Sequence, residues 1–187
     1  MNEVCCKSKL LVISGSSGVG KGTVIKALRN KCDNINLSIS CTTRGMRKGE
    51  VDGVNYFFVS RDEFQASIDN DEFLEWAEFS GNLYGTKKAY IKKCLDEGKC
   101  ILLEIETQGA LQIKEKMPEA VLIFIAPPSI EDLEARLRGR HTETEEAIQK
   151  RLDFVKLELE NSKKYDYRVM NDTVEHAVEQ IFEVIGV

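Results

Sequence analysis

Residues 10–31 constrain the fold of this chain more than any other segment. Residues 10–14 read LLVIS, a continuous apolar run of strand length, and a glycine-rich turn follows it directly. Residues 21–31 then carry apolar side chains at helical spacing. A strand that is apolar on both faces is typical of a parallel sheet with helices on both sides. The sequence therefore predicts an α/β fold that begins with a strand, a turn and a helix.

The rest of the chain repeats this alternation. Further strand-like runs occur at 101–105, 120–126 and 168–170. Helical patterns occur at 87–97, 108–116, 130–138, 145–161 and 174–185, with Ser129 and Thr142 as predicted helix caps for the third and fourth of these. Strands that alternate with helices predict a parallel sheet flanked by helices, within one domain of 187 residues.

Residues 40–90 interrupt the alternation. They contain short aromatic strand-like pieces at 56–60 and 73–79, several turn signals and one short helix after Ser60. We interpret this segment as a small mixed-β subdomain inserted into the core. The predicted core comprises 1–39, 91–134 and 156–187, and residues 135–155 are predicted to form a helical lid.

The turn after the first strand has the pattern G-x-x-x-x-G-K. Its glycines allow the backbone N–H groups to surround a phosphate, while the helix N-terminus and a lysine add positive charge. The sequence therefore predicts a phosphate-binding loop for a nucleoside triphosphate. Its residues are Gly15, Ser16, Ser17, Gly18, Val19, Gly20, Lys21, Gly22 and Thr23.

Gly22 stands where this pattern usually has Ser or Thr, so the usual hydroxyl ligand for Mg²⁺ is missing there. Mg²⁺ is then expected to be held mainly by phosphates and water. The guanine-reading tetrapeptide N-K-x-D of switch GTPases does not occur in the sequence. The loop alone leaves open which phosphate acceptor the protein uses.

Composition narrows the possible partners. A net charge of −5 argues against binding to a nucleic acid polymer. No run of 18 apolar residues occurs, so neither a membrane span nor a membrane partner is expected. The six cysteines lack metal-ligand spacing, and free thiols and a cytoplasmic location are predicted. The oligomeric state stays open.

Two groups of arginines are candidates for binding phosphate. Arg44 and Arg47 lie three residues apart near Tyr56 and Tyr84, and their guanidinium and phenol groups suit a phosphate monoester. Their spacing alone also fits a solvated basic turn. Arg151 lies within the apolar stripe of its predicted helix, where a guanidinium requires an anionic partner.

Several motifs resemble those of the guanylate kinase family, from the phosphate loop to the last helix. They are SGSSGVGKGT, SISCTTRGMRKGEVDGVNYFFVS, FLEWAEFSGNLYGT, ILLEIETQGA, IFIAPPS, LRGRHTETEEAIQKRL and VMND. The resemblance implies an ATP-dependent kinase that phosphorylates GMP, and also dGMP, in purine nucleotide metabolism. It also implies a phosphate-loop NTPase core with a GMP-binding insert and a lid.

The resemblance also implies roles for individual residues. Those expected to hold the GMP phosphate are Arg44, Arg47, Tyr56 and Tyr84. Those expected at the guanine base are Glu75, Ser40, Thr86 and Glu106. Asn171 and Asp172 match the adenine pocket, and Glu104 matches a carboxylate that supports Mg²⁺ through water.

Lid arginines of the family close over the transferring phosphoryl group. They are matched here by Arg140 and Arg151, with Arg136 as a further candidate, and the expected catalytic set is Lys21, Arg44, Arg140 and Arg151. Two alternatives remain at this point. One is a phosphate-loop kinase with another small acceptor, and the other is a non-catalytic binding module of the same family.

Overall fold

The computed structural model describes residues 8–16, 18–138 and 145–186, apart from the side chains at 135–137, 147, 150 and 151. In chain order its elements are β1 (Leu10–Gly15), α1 (Lys21–Lys31), β2 (Ile35–Leu37), β3 (Cys41–Thr42), β4 (Phe57–Phe58), α2 (Arg61–Asp69), β5 (Phe73–Phe79), β6 (Asn82–Lys87), α3 (Lys88–Asp96), β7 (Cys100–Glu104), α4 (Thr107–Lys116), β8 (Val121–Ala126), α5 (Ile130–Arg138), α6 (Glu145–Asn161), β9 (Tyr167–Met170) and α7 (Val174–Ile185).

The central sheet has the strand order β2-β7-β1-β8-β9, and all its pairs are parallel. Side chains of β1 alternate between its two faces. Leu11 and Ile13 pack with α1 and α7 in one apolar cluster. Leu10 and Val12 pack with α3 and α4 in a second cluster on the opposite face. The predicted parallel sheet with helices on both faces is therefore confirmed.

A second sheet, with the order β4-β3-β6-β5, is formed within residues 41–87. Its β3–β4 pair is parallel and its other pairs are antiparallel, so it is the mixed sheet that the sequence predicted. Phe64 of α2 stacks on Phe73 of β5, with 4.4 Å between ring centroids, and anchors the apolar cluster of this subdomain. Ser60 and Glu63 form a capping box at the start of α2.

Strand β6 is the main element that the sequence did not predict. Gly85 weakens its strand pattern, yet the structure requires a glycine there. A Cβ at this position would lie 3.0 Å from ring atoms of both Phe64 and Phe73. Gly85 thus weakens the strand pattern in the sequence, but it is the residue that lets the two stacked rings pack against β6.

The predicted lid begins within α5 and ends within α6. Leu133 of α5 packs against Ile148, Leu152 and Val155 of α6. The predicted cap at Ser129 is confirmed, because its Oγ accepts from the Asp132 backbone N–H at 3.0 Å. The predicted cap at Thr142 lies outside the described residues.

The prediction of free thiols throughout is wrong for two cysteines. Cys32 and Cys100 each take part in a disulfide, whereas Cys41 and Cys94 are free and buried. The spacing along the chain gave no sign of this, because the fold rather than the spacing brings cysteines together. In the described part of the chain, no helix has the length and apolar character needed to cross a bilayer.

Candidate functional site

The phosphate loop follows β1 at the carboxyl edge of the central sheet. Gly15 is required by close packing, since a Cβ there would lie 2.4 Å from the Ile125 carbonyl oxygen of β8. Gly18 and Gly20 have φ angles of 85° and 95°, which favour glycine. Gly20 is also the N-cap of α1 and, as a glycine, has no side chain that could cap the helix. The loop therefore leads into a helix N-terminus of the kind that binds anions.

Lys21 reaches back across this loop. Its Nζ donates to the Gly15 carbonyl oxygen at 2.6 Å, so the ammonium group lies over the start of the loop. Gly22 and Thr23 are exposed on the first turn of α1. Ser16 is buried, and Ser17 lies outside the described residues. The loop thus holds one half-buried cation against its own backbone.

The turn after β9 lies against the phosphate loop. Asn171 is buried and its Nδ2 donates to the Val19 carbonyl oxygen at 2.6 Å. Asp172 is exposed and accepts from the Thr173 backbone N–H at 2.7 Å and contacts His176 Nδ1 at 2.8 Å. Two hydrogen bonds lower the pKa of Asp172. The larger effect comes from the Thr173 backbone N–H and the smaller from His176. The residue pair predicted at the adenine is therefore adjacent to the loop.

Arg44, in the inserted subdomain, is held by a carboxylate. Its Nη1 and Nη2 donate to Glu50 Oε2 and Oε1 at 3.0 and 2.7 Å. Glu50 Oε2 also accepts from the Arg47 backbone N–H at 2.7 Å. The hydrogen bonds between the two side chains raise the pKa of Arg44 and lower that of Glu50. Both groups are therefore charged at neutral pH, and the Arg44 guanidinium has a fixed orientation.

Two tyrosines, Tyr56 and Tyr84, lie beside the Arg44 guanidinium. The Arg44 guanidinium carbon lies 5.3 Å from the Tyr56 ring centroid, and the Tyr56 and Tyr84 centroids are 6.0 Å apart. A hydrogen bond with Tyr84 contributes to the raised pKa of Arg44. The structure thus brings Arg44, Tyr56 and Tyr84 together, while Arg47 is exposed beside them.

Glu75 is the one buried carboxylate of β5. It is 6% exposed, and its Oε1 accepts from Thr86 Oγ1 at 2.7 Å across the β5–β6 pair. Burial raises its pKa, and this effect exceeds the opposing effects of Thr86 and of the Lys116 charge. A Cβ at Gly109 of α4 would lie 3.1 Å from Glu75 Oε2. The carboxylate therefore sits between the second sheet and the first turn of α4.

A cleft separates the inserted subdomain from the core. It contains a cavity of about 150 Å³, lined by Ser40 and Tyr56 on one side and by Ser38 and Glu104 on the other. Glu104 ends β7 and pairs in register with Ile13 of β1, directly before the phosphate loop. The buried Ser38 hydroxyl has no hydrogen-bond partner in the described part of the chain. The cleft thus has polar groups on both walls.

The remaining predicted residues are one exposed glutamate and the three arginines of the predicted lid. Glu106 is exposed as the N-cap of α4. Arg140 and the side chains of Arg136 and Arg151 lie outside the described residues. Among those described, no group of three or more His, Cys, Asp or Glu side chains is arranged to hold a metal ion.

Sequence reasoning missed two residues that position Arg44 and Glu75. Glu50 orients Arg44, and the available signal was a glutamate six residues after that arginine in the same basic segment. Gly109 leaves space for the Glu75 carboxylate, but its position on another element gave no local signal.

Comparison with known proteins gives one consistent result. The family model described as Guanylate kinase matches residues 7–186. A guanylate kinase of Halalkalibacterium halodurans is 56% identical over 96% of this chain and 88% of its own length. A guanylate kinase of Clostridioides difficile is 51% identical over 96% of this chain and 88% of its own length.

The structural comparison agrees with these matches. The crystal structure of guanylate kinase from Anaplasma phagocytophilum has a TM-score of 0.71 and 35% sequence identity, and the match covers 97% of this chain and 86% of that one. This chain is therefore similar to guanylate kinases in both fold and sequence over almost its whole length. On this evidence the chain belongs to the guanylate kinase family.

Proposed function

We propose that the protein transfers the γ-phosphoryl group of ATP to GMP and releases ADP and GDP. In this proposal the phosphate loop holds the triphosphate and the inserted subdomain holds GMP. The cleft between them brings the acceptor phosphate to the loop. We extend the proposal to dGMP, because base and phosphate, the groups assigned to this site, are the same in both nucleotides.

The observation that carries the proposal is the buried Glu75 carboxylate. Guanine presents donors at N1 and N2 and an acceptor at O6. An ionised carboxylate accepts from both donors, while the hydroxyls of Ser40 and Thr86 are suited to donate to O6. In the structure the Thr86 hydroxyl donates to Glu75 at 2.7 Å, so it would have to turn toward O6. Glu106, exposed at the N-cap of α4, is a further candidate contact to the base.

Adenine is the wrong partner for this carboxylate. It has an acceptor at N1, which would face the oxygen lone pairs of Glu75. Leaving buried polar groups unpaired costs roughly 1–3 kcal/mol each, and more where one is charged. A site built on hydrogen bonds can therefore discriminate strongly between the two purines.

The GMP phosphate is assigned to Arg44, Arg47, Tyr56 and Tyr84. Glu50 already fixes the orientation of the Arg44 guanidinium, so this side chain loses little conformational freedom when GMP binds. The phosphate is ionised at neutral pH, and no general base is required to activate its oxygen. The residues must align acceptor oxygen, phosphorus and leaving oxygen, and neutralise the charge that spreads over the transferring group.

On the donor side, Lys21 is assigned to the β- and γ-phosphates, and Asp172 to the adenine side of the loop. Arg140, Arg151 and Arg136 are proposed to approach the transferring group from the lid. Closure over the cleft would exclude water, which otherwise competes with GMP for the phosphoryl group.

Mg²⁺ is the proposed metal ion, and the available donors fit it. Mg²⁺ commonly takes one or two carboxylates together with substrate phosphates and water. Glu104 is an exposed carboxylate at the sheet edge beside the loop, and it would hold the ion through water. Bound there, the ion would neutralise charge on the phosphates.

The test exchanges the Glu75 carboxylate for an amide. Glu75→Gln nearly preserves shape but places an NH₂ donor against the guanine donors. We expect the ratio of kcat/KM for GMP over AMP to fall about 10²-fold, the equivalent of about two unpaired groups, with KM for ATP little changed. Steady-state ADP release measures both.

Glu78→Gln is the matched control, because Glu78 lies on the same strand and is exposed. An unchanged GMP-to-AMP ratio in Glu75→Gln would place guanine recognition elsewhere. The wild-type assay should also include dGMP, CMP, UMP and ribose phosphates. Activity confined to an acceptor without guanine would contradict the proposal.

A further inference from the structure

Asn171 connects the far side of the central sheet to the phosphate loop. Its backbone N–H donates to the Ala126 carbonyl oxygen at 2.9 Å and so continues the β8–β9 pairing. Its side-chain Nδ2 donates to the Val19 carbonyl oxygen at 2.6 Å. Asn171 is 5% exposed and Val19 is 1% exposed, so water does not compete for this bond.

The bond fixes the orientation of one peptide unit in the loop. No peptide bond in the described structure is cis, so the C=O of Val19 and the N–H of Gly20 point in opposite directions. Because Asn171 holds the carbonyl oxygen on its own side, the Gly20 N–H points away from Asn171. The φ of 95° at Gly20 permits this arrangement.

Orientation of this peptide decides whether the loop attracts or repels an anion. A carbonyl oxygen turned toward a phosphate would bring two partial or full negative charges together. An N–H turned toward it would add a hydrogen bond to a charged acceptor, which is the stronger kind. A Cβ at Gly20 would lie 3.1 Å from Asn171 Nδ2, so the amide also fills the space next to this residue.

We infer that Asn171 is a positioning residue for the phosphate loop rather than a contact to adenine. It holds the Val19 carbonyl away from the bound triphosphate and thereby turns the Gly20 N–H toward it. The inference rests on the proposed function in one respect, namely that this loop binds the phosphates of ATP.

The test compares ligands with and without adenine. Isothermal titration with ATP and with inorganic tripolyphosphate, each with Mg²⁺, is carried out on the wild type, Asn171→Asp and Asn171→Ala. We expect Asn171→Ala to weaken both ligands by a similar factor of about 10, since one buried carbonyl loses its partner. Asn171→Asp should weaken both further, because an acceptor then faces the Val19 carbonyl.

Gln180→Glu is the matched control for the added charge. The Gln180 side chain bonds both backbone groups of Met170 in β9 and therefore supports the same strand without contacting the loop. The affinities of Gln180→Glu for ATP and tripolyphosphate should stay within about twofold of the wild-type values. A lost buried hydrogen bond would change them by more than this. GMP affinity, measured in parallel, should be retained in all variants and reports that the fold is intact.

Three results separate the possibilities. If Asn171→Ala loses affinity for ATP but keeps that for tripolyphosphate, Asn171 contacts adenine and the inference is wrong. If it loses neither, the bond to Val19 has no role in binding and the inference is also wrong. If the wild type binds neither ligand, the proposed function of the loop fails before the role of Asn171 arises.

Discussion

The phosphate loop and the inserted subdomain present their polar groups in different ways. The loop uses consecutive residues at the end of one strand, and apart from Lys21 it offers mainly backbone groups. The insert uses side chains from separate strands and a connecting segment, such as Arg44, Glu75 and Thr86. A backbone site is fixed by φ and ψ angles and by outside supports, whereas a side-chain site depends on each group being held by a neighbour.

The neighbours in the insert are themselves charged or polar. Glu50 holds Arg44, and Thr86 holds Glu75. The orientation of each of these two side chains therefore depends on a partner side chain of the same subdomain. This difference predicts large effects on turnover in the loop and selective effects on GMP in the insert.

The largest effect is expected from Lys21→Met in the loop. Methionine keeps most of the apolar stem but removes the cation assigned to the β- and γ-phosphates. We expect kcat to fall on the order of 10²-fold or more, as for other preorganised transition-state contacts. Steady-state kinetics measures this, and the melting temperature should change little. Lys26→Met, on the exposed side of the same helix, is the control. Near-normal turnover in Lys21→Met would show that the loop is not the phosphate site.

An intermediate effect is expected from Arg44→Ala in the insert. Hydrogen bonds to charged groups contribute about 1.5–3 kcal/mol, so KM for GMP should rise about 10-fold to 10²-fold, with KM for ATP almost unchanged. Glu50→Gln keeps the arginine but weakens its support, and KM for GMP should rise by a smaller factor.

Arg61→Ala provides the comparison within the same subdomain. Arg61 pairs with Glu78 on the exposed surface and lies outside the proposed site. Equal rises in the KM for GMP and for ATP in Arg44→Ala would remove the division between donor and acceptor sides.

The smallest effect is expected from Gly109→Ala. The added Cβ would approach Glu75 Oε2 to 3.1 Å and push the carboxylate from its place. Overpacking typically costs about 1–3 kcal/mol. A cost at the lower end of this range corresponds to a fall of about fivefold in kcat/KM for GMP. The melting temperature should not fall by a corresponding amount, because alanine stabilises a helix more than glycine does.

A double variant sharpens this prediction. If Gly109→Ala acts through Glu75, it should add little to the loss in Glu75→Gln. Glu115→Ala, at an exposed position of α4, controls for helix propensity alone. Independent, additive losses in the double variant would mean that Gly109 affects the site by another route.

Much of the fold was predictable because its signals are local. The apolar run of β1 and the helical spacing of α1 predicted both elements, and α5, α6 and α7 have the predicted bounds. Strand β6 escaped because Gly85 serves aromatic packing from two other elements. Such a requirement is set by tertiary contacts and leaves no trace in the local pattern.

The candidate site divides along the same line. The phosphate loop is contiguous and was predicted from its spacing, whereas the residues proposed to bind GMP were predicted from resemblance to a family. The bond from Asn171 to Val19 spans 152 positions and could not be inferred from either residue alone. The assigned roles of the individual residues remain predictions for the experiments above.

Burial of Glu75 also links nucleotide binding to proton exchange. Because burial raises its pKa, the free protein keeps a proton on Glu75 up to a higher pH than an exposed glutamate would. The folded state then holds this proton more tightly than the unfolded chain, so the group's contribution to the free energy of unfolding falls as pH rises through the raised pKa. Guanine, as proposed, binds the ionised carboxylate. In mildly acidic solution GMP binding should therefore expel a proton from Glu75. Glu75→Gln should release fewer protons than the wild type, and those that remain come from the GMP phosphate, whose second pKa is about 6.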